Sequence, residues 1–317
     1  MPKVDVPVLL IVFNRPDTTA RVLDALRSSG VPRLYVSCDA PRDGRPQDAA
    51  KVQSVRKLIE EAQSWCQVKT LFQTENRGCS RGPFLAMDWF FAHEEEGVVL
   101  EDDCVPHPDF LPYCQELLAK YRDDTRVMTI SGDRSPLRAE TDFGQFSYGF
   151  SRFSLTWGWA SWRRAWQTFD ISLGTWPQVK QAGWLKGLYR DEDVYNGLYD
   201  AFEGVYTGRH NTVWDYQWTY NCLFHSGLSV IPSKNLISNI GFGSDSTHTG
   251  DPNSPRASVK TEPILPLAHP SLVHPWTTLD EQILHQGMGV EHRPWWRKAL
   301  KRLVRRRGPR VQYFQLP

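Results

Sequence analysis

Three consecutive acids, Glu101, Asp102 and Asp103, follow the apolar run from Gly97 to Leu100. Adjacent carboxylates repel each other, and three at the end of a buried strand are unfavourable unless a cation lies among them. Carboxylate oxygens are the ligands that Mg²⁺ and Mn²⁺ prefer. A solvated acidic turn is the alternative. Because an apolar strand leads straight into the acids, we favour a site for Mn²⁺ or Mg²⁺ as cofactor.

Two further apolar runs end in polar side chains. Asn14 and Arg15 follow the run at residues 8–13, and Asp39 follows the run at residues 34–38. A continuous apolar run is typical of a strand that is buried on both faces. In open parallel sheets, ligands bind outside the carboxyl ends of the strands. We therefore expect Arg15 and Asp39 to meet the acidic run at one edge of a sheet.

Strands and helices alternate in the first half of the chain, with short connections. Strands are predicted at residues 8–13, 34–38, 68–73, 97–100 and 127–130, and helices after Asp17 and at residues 49–62, 83–91 and 110–121. This order predicts an α/β fold, with a mostly parallel sheet that is flanked by helices. We expect one domain over residues 1–250, divided near residue 130, and an extension over residues 251–317.

The second half of the chain offers two titratable candidates. Asp215 lies between Trp214 and Tyr216. A carboxylate among aromatic side chains is a candidate general base, and a helix cap or a salt bridge is an equal alternative. His248 lies in a stretch rich in Ser, Thr, Pro and Gly, which predicts a loop. It is a candidate metal ligand, with a surface histidine as the alternative.

Several of the thirteen tryptophans are candidates for contact with a flat ligand. Trp157 and Trp159 flank Gly158 in a predicted turn, and we expect both to contact such a ligand. Trp162 and Trp166 continue the spacing of one helical face from Trp159, which favours core packing for these two.

The charge distribution separates the body of the chain from its tail. Nine of the 37 Lys and Arg residues lie within residues 293–310, which leaves 28 basic against 36 acidic residues elsewhere. An acidic body argues against nucleic acid as a partner. A basic amphipathic helix, from Trp295 to Arg307, predicts contact with an anionic membrane surface. Docking of this helix on the acidic body is the alternative.

The six cysteines and the N-terminus bear on the compartment. No two cysteines form a CxxC pair, and the apolar run at residues 6–13 is far shorter than the roughly 20 residues of a membrane span. We interpret the cysteines as reduced thiols. We expect a cytoplasmic protein that is peripheral at the inner face of the membrane through its tail.

The acidic run and its surroundings, Val99 to Phe110, resemble a segment of the β-1,2-N-acetylglucosaminyltransferase I family. That family has a strand, Glu-Asp-Asp, and a following Pro-Asp-Phe-Phe. Other segments resemble it in the same order, at residues 11–15, 36–39, 157–159, 214–215 and 242–248. The resemblance covers about three quarters of the chain, and it implies the GT-A glycosyltransferase fold within the nucleotide-diphospho-sugar transferase superfamily.

The resemblance also implies roles for the residues of the first, donor-binding half. Asp103 would bind the metal, Asp102 would contact the ribose or the metal shell, and Glu101 would contact the donor sugar. Asp39 and Arg15 would hold a uracil base. A departure lies at residues 76–87, which match the family poorly.

For the second, acceptor-binding half, the resemblance implies that Asp215 is the general base and that Trp157 and Trp159 face the acceptor. His248 would lie near the donor and its metal, although Thr247 stands where the family has Ser. The implied activity is inverting transfer of a sugar, with N-acetylglucosamine as a candidate, from a UDP-sugar to a glycan or lipid-linked glycan.

Two other functions are compatible with the same fold. A sugar nucleotidyltransferase normally has a Gly-rich phosphate loop after the first strand, and residues 14–17 contain no Gly. A catalytically silent glycan-binding protein would keep the fold without the chemistry, and the acidic run argues against it.

Overall fold

The computed structural model describes residues 4–189, 191–243, 251, 253–257, 259–288 and 290. The strands are β1 (Val8–Val12), β2 (Arg33–Cys38), β3 (Gln67–Phe72), β4 (Glu96–Glu101), β5 (Cys104–Pro106), β6 (Val127–Ser131), β7 (Tyr148–Ser151), β8 (Trp159–Trp162), β9 (Leu228–Pro232) and β10 (Ile237–Asn239). The helices are α1 (Pro16–Ser28), α2 (Pro46–Ala62), α3 (Gly78–His93), α4 (Phe110–Lys120), α5 (Arg163–Trp166), α6 (Trp176–Ala182), α7 (Trp184–Leu188), α8 (Glu192–Tyr206), α9 (Asp215–Phe224) and α10 (Thr277–Gln282), followed by a π-helical turn (Ile283–Gly287).

Eight strands form one sheet in the order β3-β2-β1-β4-β8-β6-β9-β7. The first four strands run parallel to one another, as do β6 and β9. Strand β8 lies antiparallel between β4 and β6, and β7 is antiparallel to β9. The predicted α/β fold with a mostly parallel sheet is confirmed, and the predicted strands of the first half agree with the observed ones to within two residues.

Helices cover both faces of the sheet, which explains why its strands are continuously apolar. Val8 and Leu10 of β1 pack in one core with α1, α2 and α4, whereas Leu9 packs in another with Phe90 of α3. Neighbouring side chains on a strand point to opposite faces, so both sets are buried. Burial on both faces fixes the register of β1 and thereby the position of Arg15 at its end.

A third core lies beneath the helices of the second half. It contains Trp176, Phe202 and Tyr220, from α6, α8 and α9, together with Ile231 of β9. This core supports α9, whose first residue is Asp215. The second half therefore holds Asp215 on a packed helix, beside a sheet that both halves share.

The tryptophan-rich segment differs from its predicted form. The spacing of Trp159, Trp162 and Trp166 predicted one face of a single helix. Instead Trp159 and Trp162 bound the strand β8, and Trp166 ends the short helix α5. Trp162 and Trp166 are buried, as predicted for core residues. Among the described residues, no helix is long and apolar enough to cross a membrane.

Candidate functional site

A cavity of about 610 Å³ opens at the carboxyl ends of β1, β2 and β4, between the two halves of the chain. The predicted site residues that line it are Arg15, Asp39, Glu101, Asp102, Asp103, Trp157 and Asp215. Three apolar strands of the parallel sheet end at this edge, and each delivers polar side chains to it. The cavity is therefore a place where groups far apart in sequence act on one ligand.

Arg15 neutralises two of the three acids. Its guanidinium lies 2.6 Å from Asp103 Oδ2, to which it donates a hydrogen bond, and 2.9 Å from Asp102 Oδ1. Both carboxylates are almost fully buried, and the backbone N–H of Phe13 donates to Asp102 Oδ2. The sequence prediction assigned Arg15 to the base. The structure instead places its guanidinium on the acids, where it supplies the cation that they require.

The ion pair sets the protonation of the group. Burial opposes the charge of Arg15, but the negative charges of Asp102 and Asp103 outweigh it and raise its pKa, so Arg15 stays charged. Burial raises the pKa of Asp102, and the charge of Arg15 opposes that rise. The pKa of Glu101 is raised by burial and by its two acidic neighbours. Glu101 and Asp102 thus both hold a proton more strongly than an exposed acid does.

Gly241, from the second half of the chain, packs against the ion pair of Arg15 and Asp103. A methyl group on its Cα would overlap the carboxylate of Asp103 and lie 2.8 Å from Arg15 Nη1. The segment is held there because β10 pairs with β5, directly after the acids, and Ile240 N donates to the carbonyl of Asp103. Only glycine leaves room for the pair at this position.

The donor atoms for Mn²⁺ or Mg²⁺ are few. The described residues contain no group of three or more His, Cys, Asp or Glu side chains that is arranged to hold a metal ion. An ion that is shared with a diphosphate needs only one or two protein carboxylates, and Asp103 lines the cavity. Such an ion fits at Asp103 if Arg15 releases Oδ2. His248, the other predicted ligand, lies outside the described residues.

Asp39 anchors the neighbouring loop. Its carboxylate accepts hydrogen bonds from the backbone N–H groups of Arg77, Gly78 and Ala40 at 2.8–3.0 Å. Because α3 begins at Gly78, Asp39 caps that helix from the end of β2. Burial raises the pKa of Asp39, and the backbone donors oppose the rise. The segment that matched the family poorly is therefore fixed to a predicted site residue.

A second ion pair at this end was missed by the sequence analysis. Buried Asp48 of α2 accepts two hydrogen bonds from the Arg42 side chain, at 2.6 and 3.0 Å, and one from Asn14 Nδ2 at 2.8 Å. These bonds, led by those from Arg42, lower the pKa of Asp48 to about 2. The Arg42 guanidinium lies 5.3 Å from the ring centre of Phe13, and both residues line the cavity. No sequence pattern indicates that an acidic residue within a helix contributes a side chain to this edge of the sheet.

Asp215 lines the cavity from the second half of the chain. It is the first residue of α9, and its Oδ1 accepts the backbone N–H of Tyr216 at 3.0 Å. Its charge contributes to the raised pKa of Glu101 and opposes the lowered pKa of Arg256, so it acts on groups from both halves. A carboxylate at a helix N-terminus is stabilised by the helix dipole. Asp215 is therefore a candidate base that lines the same cavity as the acidic run.

The two tryptophans of the predicted acceptor site are separated. Gly158 has a φ of +62°, and a side chain there would collide with Ile237, so the predicted turn requires glycine. Trp157 before the turn lines the cavity. Trp159 after it is only 1 % exposed and stacks on Trp214 in the core. This corrects the prediction for Trp159, because the direction of β8 turns its side chain away from the cavity.

Two further charged residues line the cavity and were not predicted. Asp133 follows β6 as the other site residues follow their strands, and it is buried. Arg256 lies in the predicted extension over residues 251–317, and its guanidinium lies over the Trp157 ring, 4.2 Å from the centre. The strand end would have identified Asp133. No local pattern marks Arg256.

Comparisons with known proteins leave the family of the chain open. No protein-family model matches it, and no curated protein matches it by sequence. Among solved structures, a UDP-glucose pyrophosphorylase complexed with UDP-glucose has 11% identity and a TM-score of 0.31, over 51% of this chain and 78% of that one. HddC from Yersinia pseudotuberculosis has 11% identity and a TM-score of 0.33, over 55% and 86% of the two chains. A 4-diphosphocytidyl-2C-methyl-D-erythritol synthase from Anaerococcus prevotii has 6% identity and a TM-score of 0.29, over 51% and 74%. Scores this low carry no argument about activity.

Proposed function

We propose that the protein is a nucleotide-sugar glycosyltransferase of the GT-A type, which transfers a sugar from a UDP-sugar to a glycan or lipid-linked glycan with inversion. One observation carries the proposal. A single cavity holds the acidic run at the end of β4, polar side chains around Asp39, and Asp215 at the start of α9. A transferase that uses a nucleotide sugar needs a site for the diphosphate, a site for the base and a general base within one cavity.

The donor lies along the edge of the sheet in this proposal. Phe13 and Arg42 present a flat surface beside Asp39, which suits the faces and polar edges of a base. The diphosphate lies toward Asp103 and Arg15. Asp103 would hold a Mn²⁺ or Mg²⁺ ion together with diphosphate oxygens, and the ion would stabilise the negative charge on the leaving diphosphate. Arg15, which contacts Asp103 Oδ2 at 2.6 Å, would add positive charge beside the phosphates.

The transfer step assigns the proton to Asp215. The acceptor oxygen forms a bond with the anomeric carbon while the bond from that carbon to the diphosphate oxygen breaks, and UDP leaves with the electron pair. The proton of the acceptor hydroxyl passes to the carboxylate of Asp215. Glu101, whose raised pKa favours a protonated carboxyl, can donate a hydrogen bond to a sugar hydroxyl. Trp157 offers the acceptor a ring face.

Two alternatives remain outcomes of the test. A sugar nucleotidyltransferase would form a nucleotide sugar from a sugar phosphate. In this chain α1 begins at Pro16, after Arg15, whose side chain is engaged with the acids. That arrangement offers no Gly-rich loop to wrap a triphosphate. A silent glycan-binding protein would bind without turnover. The predicted membrane contact from Trp295 to Arg307 lies outside the described residues and stays a prediction.

The first experiment is isothermal titration with UDP, with and without Mn²⁺, on the wild type and on Asp103→Asn. Metal-dependent binding that is lost in the variant supports the proposal. Asp200→Asn, at an exposed acid on α8, is the matched control and should bind as the wild type does. No UDP binding at any metal concentration would overturn the uridine assignment.

Turnover separates the three functions. The purified protein is incubated with a panel of UDP-sugars, and release of UDP is followed with and without added glycans. Release of UDP indicates a glycosyltransferase. Formation of UTP from a UDP-sugar and pyrophosphate indicates a nucleotidyltransferase instead. Binding of UDP without either product indicates the silent protein.

A further inference from the structure

Arg256 is loosely held at the second-half end of the cavity. Its hydrogen bonds are long, at 3.3 Å from Nε to Ser135 Oγ and 3.5 Å from Nη1 to the carbonyl of Gly287. Its nearest carboxylate oxygen, on Asp133, is 4.0 Å from Nη2. Strong hydrogen bonds from a guanidinium to an anion measure about 2.7–2.9 Å, so none of these contacts uses the group fully. Arg256 therefore keeps donors for a ligand.

The guanidinium nonetheless lies over an aromatic ring. Its Cζ is 4.2 Å from the centre of the Trp157 ring, and Phe242 packs edge-on against that ring with 5.7 Å between ring centres. A guanidinium that stacks on an indole keeps its N–H groups pointing outward from the ring edge, where they can form two parallel hydrogen bonds. The stack thus prepares Arg256 for a forked contact with an anion.

Among the described residues, the acids around Arg256 do not form a close ion pair with it. Burial lowers the pKa of Arg256, and the negative charges of Asp133 and Asp215 oppose this. Asp133 is itself buried, and burial raises its pKa. A partly buried cation whose partner is distant is stabilised when a second anion binds beside it. This is the opposite of Arg15, which has two carboxylates within 2.9 Å.

The position assigns Arg256 to the acceptor rather than to the donor. Its side-chain contacts with Ser135, Trp157 and Gly287 all lie C-terminal to residue 130, outside the donor-binding half. The acids that act on it are Asp133 and Asp215, and the donor-side acids Asp102 and Asp103 are not among them. An anion bound here would lie on the side of the cavity from which Asp215 reaches.

We infer that Arg256, stacked on Trp157, is an anion-binding subsite for the acceptor, which carries a phosphate or a carboxylate near its reacting hydroxyl. The inference rests on the proposed function, since it presumes an acceptor in this cavity. A phosphate would come from a lipid-linked glycan, and a carboxylate from an acidic sugar. Both offer two oxygens to the same fork of N–H groups.

The test uses protein that is saturated with UDP, so that the donor side is filled. Methyl phosphate, glucuronate and the neutral methyl glucoside are each titrated at millimolar concentration into the wild type, Arg256→Gln, Arg256→Lys and Arg209→Gln. Arg209 is an exposed arginine that pairs with Asp200, so its variant is the matched control. Thermal melting establishes that each variant is folded.

We expect one of the two anions to bind the wild type and the Arg209 variant. Its Kd should rise at least about tenfold in Arg256→Gln, because a charged, forked hydrogen bond is lost. Arg256→Lys keeps the charge without the fork and should lie between. Preference for methyl phosphate indicates a lipid-linked phosphate, and preference for glucuronate indicates an acidic sugar.

Three outcomes overturn the inference. Neither anion binds the wild type, or the anion binds Arg256→Gln as tightly as it binds the wild type. In the third, the Kd of Arg256→Gln for UDP rises by the same factor as its Kd for the anion. The last would place Arg256 on the donor. Failure of the wild type to bind UDP is a separate result, which removes the proposed function. In that case loss of methyl phosphate binding in the Gln variant still shows an anion site without assigning it to an acceptor.

Discussion

The two ends of the cavity hold their charges in different ways. At the donor end, Arg15 contacts Asp102 and Asp103, and Arg42 contacts Asp48, all within 2.9 Å. At the proposed acceptor end, the described acid nearest to the Arg256 guanidinium is Asp133, at 4.0 Å. Paired charges stabilise the fold around a site, whereas loosely held charges are available to a ligand. The comparison predicts that substitutions at the first end cost stability and that those at the second cost function.

Asp215→Asn should have the largest effect, and it should fall on turnover. Loss of a general base lowers kcat by about 10²–10⁴-fold. The variant should bind UDP as the wild type does, because the acids that pair with Arg15 and Arg42 are unchanged. Release of UDP from the best UDP-sugar measures the rate, and Asp200→Asn is the control. Turnover within about twofold of the wild type would remove Asp215 from the mechanism.

Arg15→Met should have the largest effect on stability. It leaves Asp102 and Asp103 buried without their cation, which costs about 3 kcal/mol of unfolding free energy. Urea unfolding of the two proteins measures the difference. Arg15→Met with Asp103→Asn should recover part of the loss, since one of the two stranded charges is gone.

Added Mn²⁺ gives a second test of whether Arg15 is the cation that pairs with Asp103. If Arg15 and the ion compete for Asp103, added Mn²⁺ should stabilise Arg15→Met more than it stabilises the wild type, because binding to the native state raises the unfolding free energy. Melting temperatures with and without Mn²⁺ report this without any turnover. An equal rise in both proteins would show that the ion does not replace Arg15 at the acids.

The positions of these residues were predictable to different degrees. Arg15, Asp39 and the acidic run were identified because a buried apolar strand must end at the ligand edge of a parallel sheet. The partnership of Arg15 with Asp103 was missed, since the two are 88 residues apart and only the folded sheet brings them together. The metal was inferred from three acids without the arginine that neutralises two of them.

Side-chain direction and loop placement were the limits at the acceptor end. Trp157 and Trp159 look alike in sequence, and only the turn at Gly158 and the pairing of β8 decide which one faces the cavity. Arg256 belongs to a segment without periodicity, so its place above Trp157 has no local signal. His248 and the tail from Trp295 to Arg307 lie outside the described residues, and their roles stay predictions.

Asp48→Asn should have an intermediate effect that depends on pH. The folded pKa of Asp48, about 2, lies below its unfolded value, so its ionised form stabilises the native state above about pH 4, and this contribution is lost as the pH falls toward 2. At pH 7 the variant should lose about 1.5–3 kcal/mol, the size of a charged hydrogen bond. Melting of both proteins from pH 7 to pH 3 should show the gap narrowing. A gap that stays constant over this range would contradict the lowered pKa.

Arg256→Gln should have the smallest effect on stability, and it completes the comparison with Arg15. The substitution removes long hydrogen bonds and the cation above Trp157, each of which contributes modestly, so the loss should stay below about 1 kcal/mol. Asp133 loses a partner that was already 4.0 Å away, and the backbone N–H of Ser135 still donates to it at 2.7 Å. Urea unfolding beside Arg15→Met measures both arginines under one condition. A loss at Arg256 as large as that at Arg15 would mean that the acceptor-end arginine holds the fold, and that its donors are not free for a ligand.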